Sequence, residues 1–118
     1  TRTGRKEKQY NKMDLVNYMN MNNSKYMDKE QIQGGTLLIL VNTKTRKLIN
    51  EWYNIGCNYH FIDDSNSVLK NDKIFREHRH DQSIFSLLVK KYNLTNNKNL
   101  NDGVYVLRNK NGKSKIKD

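Results

Sequence analysis

Proline is absent from the 118 residues, cysteine and tryptophan occur once each, and glycine occurs six times. The lone Cys57 excludes an intramolecular disulfide and any metal site built of cysteines alone. A free thiol fits a reducing compartment. No apolar run approaches the ~20 residues that cross a bilayer, and no secretory signal pattern is visible at the start. The chain also lacks an initiator methionine at Thr1, so the expectation is a processed form, an excised piece or a fragment of something longer. No internal repeat is present. With 35% hydrophobic residues and a mean hydropathy of −1.00, this length suits one small domain with a modest core.

What is abundant is positive charge, +10 in all. Residues 1–12 carry Arg2, Arg5, Lys6, Lys8 and Lys12 against Glu7, and residues 108–118 carry Arg108, Lys110, Lys113, Lys115 and Lys117 against Asp118. Each tail is therefore +4, which leaves +2 for everything between them. Clustered Lys and Arg can release counterions from a polyanion, and an acidic partner (nucleic acid, anionic polysaccharide or protein) is one reading of the tails. Solvated ends are the other. Apart from Tyr10, the tails lack the interleaved aromatics of single-strand binders.

Along the chain, the pattern divides into a basic flexible lead-in (1–10), a domain (11–108) and a basic tail (109–118). Met13, Leu15, Val16, Tyr18 and Met19 are spaced for a short helix capped by Asn11 or Asp14. The polar stretch 22–35, ending in Gly34–Gly35, reads as a loop. "TLLILV", Thr36 to Val41, is a continuous apolar run of strand length, expected to be covered on both faces. Leu48, Ile49, Trp52 and Ile55 recur at helical spacing after a cap at Asn42 or Thr43, with Gly56 as the stop. Residues 57–80 show no period and form a long loop. A second strong helix starts at Asp81 or Ser83 and runs to about Tyr92, and "GVYVLR" (103–108) closes as a short strand. This alternation predicts a partial α/β domain, a few strands flanked by two or three helices.

The densest feature is "FREHRHDQSIFSLLVKKY", Phe75 to Tyr92, where Arg76, Glu77, His78, Arg79, His80 and Asp81 precede an apolar helix. The partial positive charge of a helix N-terminus favours Asp81 there, and an apolar face behind it would hold these groups on a rigid support at a cleft. A helix cap with neighbouring surface charges is the plainer reading.

The Ile62-Asp63-Asp64-Ser65 loop, the Glu51–Trp52 pair, the strand Leu37 to Val41 and above all the His78 to Ser83 run resemble a glycosyltransferase-like family of bacterial polysaccharide loci and large DNA viruses. With "YNKMDLVNYM" and "KEQIQGG" upstream, the likeness covers roughly residues 9–92. It implies a partial nucleotide-diphospho-sugar transferase fold of the A type, a nucleotide-sugar donor and a sugar acceptor as partners, and a location in the cytoplasm or a virus particle. Such enzymes hold Mg²⁺ or Mn²⁺ through an Asp-x-Asp motif. Here Asp63 and Asp64 are adjacent and lie in the later loop, so a divalent metal is expected only with an upstream half, and the chain alone is expected to be inactive.

The resemblance makes Asp81 and Gln82 catalytic candidates: a carboxylate can accept a hydroxyl proton, and an amide can hold sugar hydroxyls. His78, His80, Asp63 and Asp64 are substrate-binding candidates. The His-x-His pair would face one side of an extended segment, although a zinc site lacks a clear fourth ligand and no metal is assigned. Asp63 and Asp64 either pin the loop by pairing with Arg76 or Arg79 or contact a ligand.

Overall fold

A computed structural model describes residues 5–32, 36–94, 104–107, 109–110 and 113–114. Three short helices come first: α1 (Glu7–Tyr10), α2 (Met13–Tyr18) and α3 (Ser24–Met27). Strand β1 (Thr36–Ile39), helix α4 (Thr43–Gly56), a 3₁₀ turn (Tyr59–Phe61) and helix α5 (Asp81–Lys91) follow. Strands β2 (Val104–Leu107), β3 (Asn109–Lys110) and β4 (Lys113–Ser114) complete the described elements.

Helix α5 is the axis of the molecule. Ser83 through Val89 are all buried, so the helix is enclosed around its circumference rather than along one stripe. Leu15 and Val16 of α2, Met27 of α3, Leu48 and Ile55 of α4, Phe61 of the 3₁₀ turn, and Met19, Met21, Ile32 and Leu94 from the connections close around it. Trp52 packs on Phe85 with ring centroids 4.7 Å apart, and its Nε1–H donates to the Asp81 carbonyl at 3.1 Å. Helix α4 therefore fixes the point where α5 begins.

The α/β expectation is overturned. The core is built from helices and their connections, and among the described residues β1 pairs only with β2, antiparallel, in a two-stranded ladder running from Thr36↔Leu107 to Ile39↔Val104. The other ladder, β3 with β4, is also antiparallel. Leu40 and Val41, read as the end of a buried strand, lie beyond β1 and are 50% and 66% exposed. A continuous apolar run is a strand signal that says nothing about how many neighbours it finds. Here α5 already fills the centre that a parallel sheet would occupy.

Local signals fared unevenly. Asn42 caps α4 as expected, in a reciprocal pair with Thr45 (2.8 and 2.9 Å). Gly56 is the last residue of α4, and the C-cap is Cys57 in right-handed helical conformation. The stretch read as loop holds α3, capped by Asn23. From Arg5 onward the segment read as a flexible lead-in belongs to the fold: Glu7 is fully buried in α1 and its amide donates to the Lys29 carbonyl at 2.9 Å. Among the described residues, no helix is long and apolar enough to cross a membrane.

Candidate functional site

The site is assembled where the C-terminal end of α1 meets the charged run before α5. The Gln9 carbonyl accepts the amides of Arg76 (2.7 Å) and Glu77 (3.3 Å), and the Tyr10 carbonyl accepts that of Arg79 (3.2 Å) and the Ser83 hydroxyl (2.8 Å). The chain then turns sharply. The Gln82 amide donates to the Arg79 carbonyl at 3.1 Å, and His80 between them has φ +59° and ψ −129°. Those angles belong to the first central position of a type II′ turn, which glycine favours and a side chain strains. Asp81 then occupies the first turn of α5, where neither it nor His80 supplies a side-chain cap.

This geometry separates the predicted residues. The Asp81 side chain is exposed, and among the described residues its carboxylate has no hydrogen-bond or ion-pair partner. Gln82 lines a shallow depression together with Arg5, Tyr10, Gln31 and Arg79, and its Nε2–H donates to Gln31 Oε1 at 2.8 Å. Arg79 also pairs with Glu77 at 3.1 Å. His80 Nε2 lies 2.6 Å from Asp64 Oδ1, both at the surface beside the turn.

His78 is placed differently. It is 5% exposed; its Nδ1 accepts the Lys12 amide at 3.0 Å and its Nε2–H donates to the Phe61 carbonyl at 2.6 Å. Burial depresses its pKa to about 4 despite the Phe61 carbonyl, with the neighbouring Lys12 charge adding to the effect. It is a neutral strut joining the start of α2 to the 3₁₀ turn, with both ring nitrogens engaged by backbone groups.

Asp63 is also structural. Its Oδ1 accepts the Ser65 hydroxyl (2.6 Å) and amide (3.0 Å) and meets Lys12 Nζ at 3.1 Å; these bonds, those from Ser65 foremost, hold its carboxyl well below the usual range. The partners of the two aspartates are thus Lys12 and His80, where Arg76 and Arg79 were expected. Lys12 is itself buried, and its ammonium also donates to the His60 carbonyl at 2.6 Å. Asp14, expected as a possible helix cap, reaches into the loop. Burial alone would raise its carboxyl, but the His60 imidazole (2.5 Å) and the amides of Val68 (2.7 Å) and Leu69 (2.8 Å) hold it far below the ordinary value. In return, Ser67 and Asn71 side chains accept the first free amides of α2, from Asp14 and Met13. The long loop is thereby stapled at both ends of a three-residue run, Lys12 to Asp14.

Sequence reasoning missed Arg5, Tyr10 and Gln31 because they are far from α5 in the chain and carry no motif. Among the described residues no group of three or more His, Cys, Asp or Glu side chains is assembled that could hold a metal ion. Of the basic tails, Arg2, Arg108, Lys115 and Lys117 lie outside the described residues, whereas Lys8 pairs with Asp28 at 2.8 Å. No family model matches the chain, and comparison with curated proteins and with solved structures returns no significant match.

Proposed function

We propose that the start of α5 is a sugar site and that this chain supplies the sugar-contacting side of a glycosyltransferase using a nucleotide-sugar donor. The supporting observation is the strained turn at His80, which holds the exposed Asp81 carboxylate, unpartnered among the described residues, beside Gln82. Strain of this kind costs ~1–3 kcal/mol and persists where surrounding contacts enforce it, most often at binding and catalytic positions. Asp81 accepts the proton of a sugar hydroxyl, Gln82 binds further hydroxyls, and the Tyr10 ring offers an apolar face to the ring hydrogens of a sugar. His80 and Asp64 steady the turn. His78, Asp63 and Lys12 hold the loop beneath it.

Saturation-transfer NMR with a panel of sugar nucleotides and simple glycosides, with and without Mn²⁺, tests this reading. Binding by the intact chain should fall at least tenfold in Asp81→Asn and in Gln82→Leu. Binding that survives both substitutions, or that never occurs, ends the proposal.

A further inference from the structure

Beneath the depression lies a buried polar cluster that no sequence motif announced. Glu7 is fully buried and receives four donors. Its Oε2 meets Lys90 Nζ at 2.7 Å and the Ser86 hydroxyl at 2.6 Å; its Oε1 accepts from Asn11 Nδ2 at 2.6 Å and from Gln31 Nε2 at 3.1 Å. The Ser86 oxygen accepts the Ile32 amide at 2.8 Å and Lys90 Nζ at 3.3 Å, while its hydrogen is donated to Glu7.

The polarity of every member follows from two groups that have no choice. An ammonium can only donate and a carboxylate can only accept. Asn11 must therefore turn its Nδ2 to Glu7, which directs its Oδ1 toward Gln31, whose Nε2 donates to it at 2.9 Å. Gln31, with its nitrogen committed to Glu7 and Asn11, must present Oε1 to Gln82. Gln82 must meet it with Nε2, at 2.8 Å. Reversing any one amide would set like groups face to face inside the fold, at the full cost of unsatisfied buried groups.

We infer that the buried Glu7–Lys90 pair acts through Asn11 and Gln31 as a polarity relay that fixes which end of the Gln82 amide faces Gln31 and which faces away from it. Glu7, Asn11 and Gln31 are thus positioning residues for the mouth of the depression. Their bearing on recognition rests on the sugar-site reading, but the relay itself does not.

A double-mutant cycle between positions 7 and 82, read by urea denaturation, tests it independently of any ligand. In the unmodified chain, Gln82→Glu sets a carboxylate against the Gln31 oxygen and should lower the unfolding midpoint. Glu7→Gln allows the entire relay to invert: the new amide nitrogen faces Asn11 and Gln31, and Gln31 then offers its own nitrogen to residue 82. In that background Gln82→Glu should be tolerated or should raise the midpoint. Additive shifts overturn the inference. Should Glu7→Gln fail to fold, the unmodified chain still decides. Its Gln82 side-chain NH₂ should exchange with solvent at least tenfold more slowly than that of a free glutamine and speed up in Gln31→Leu; exchange at the free rate overturns the relay.

Discussion

The imidazole of His78 accepts the backbone amide of Lys12 at one nitrogen and donates to the carbonyl of Phe61 through the other, so it is held neutral between two segments that are distant in sequence. Protonation would force Nδ1 to surrender the Lys12 amide. The folded pKa of about 4 lies below the ordinary 6.5, so the unfolded chain binds the extra proton between those values. Stability contributed by His78 is complete above pH 6.5 and is lost as pH falls toward 4. The loss should amount to about 3 kcal/mol, because each tenfold difference in proton affinity between the folded and unfolded chain is worth about 1.4 kcal/mol. Urea denaturation from pH 4 to 8 should show this slope, and His78→Gln should flatten it. Below that window Asp14, whose carboxyl is held low in the fold, adds a further loss.

Asp14→Ala removes the acceptor for the Val68 and Leu69 amides and for His60 together. The expected cost is about 1–2 kcal/mol, since three hydrogen bonds to a largely buried carboxylate are lost while the exposed Val68 and Leu69 amides can turn to water. Hydrogen exchange should accelerate first at the amides of Val68 and Leu69, while amides in the middle of α5 remain protected. Unchanged exchange at those two positions would show that the loop is held by other means.

At position 80 the comparison of glycine with alanine isolates backbone strain, because both remove the ring and its Asp64 partner. His80→Gly should be more stable than His80→Ala by about 1 kcal/mol or more, because glycine adopts the positive φ of this position without strain. Thermal melts of the two variants decide it.

Trp52 is the only tryptophan, and its indole donates to the carbonyl of Asp81. Ligand bound at the start of α5 should therefore change the intrinsic fluorescence of the chain, and Asp81→Asn should abolish the ligand-dependent part. Trp52→Phe should cost about 1 kcal/mol for the lost hydrogen bond, with the ring contact to Phe85 retained.

The parts of this architecture that could be read from the sequence are the ones decided within a few residues. The Asn42 cap needs only Thr45, and α5 is announced by an apolar run behind an aspartate. The sheet was misjudged because Thr36 to Val41 reports local preference for an extended chain, and nothing in it encodes its antiparallel pairing with 104–107. The candidate site was legible on one side only. Asp81 and Gln82 stand in a conspicuous run, whereas Gln31 and Tyr10 reach them across the fold. Lys12 and Asp14 looked like ordinary residues at a helix start, and their role became visible only once loop 57–80 was seen to wrap them. A buried lysine or glutamate has no sequence signature, since its partners come from elsewhere in the chain.

Ser86 and Glu7 are 79 positions apart, and the hydrogen bond between them closes nearly the whole described domain into one ring of chain. Such a closure is entropically costly and is rewarded only when both ends arrive together. The depression has one wall from Arg5, Tyr10 and Gln31 and the other from Arg79 and Gln82, so neither end of the chain can form it in advance of the other. Folding and site assembly are therefore a single event. A ligand of this depression would bind only the native state, would raise the unfolding midpoint in step with its concentration, and would serve as a direct gauge of how much of the protein is folded.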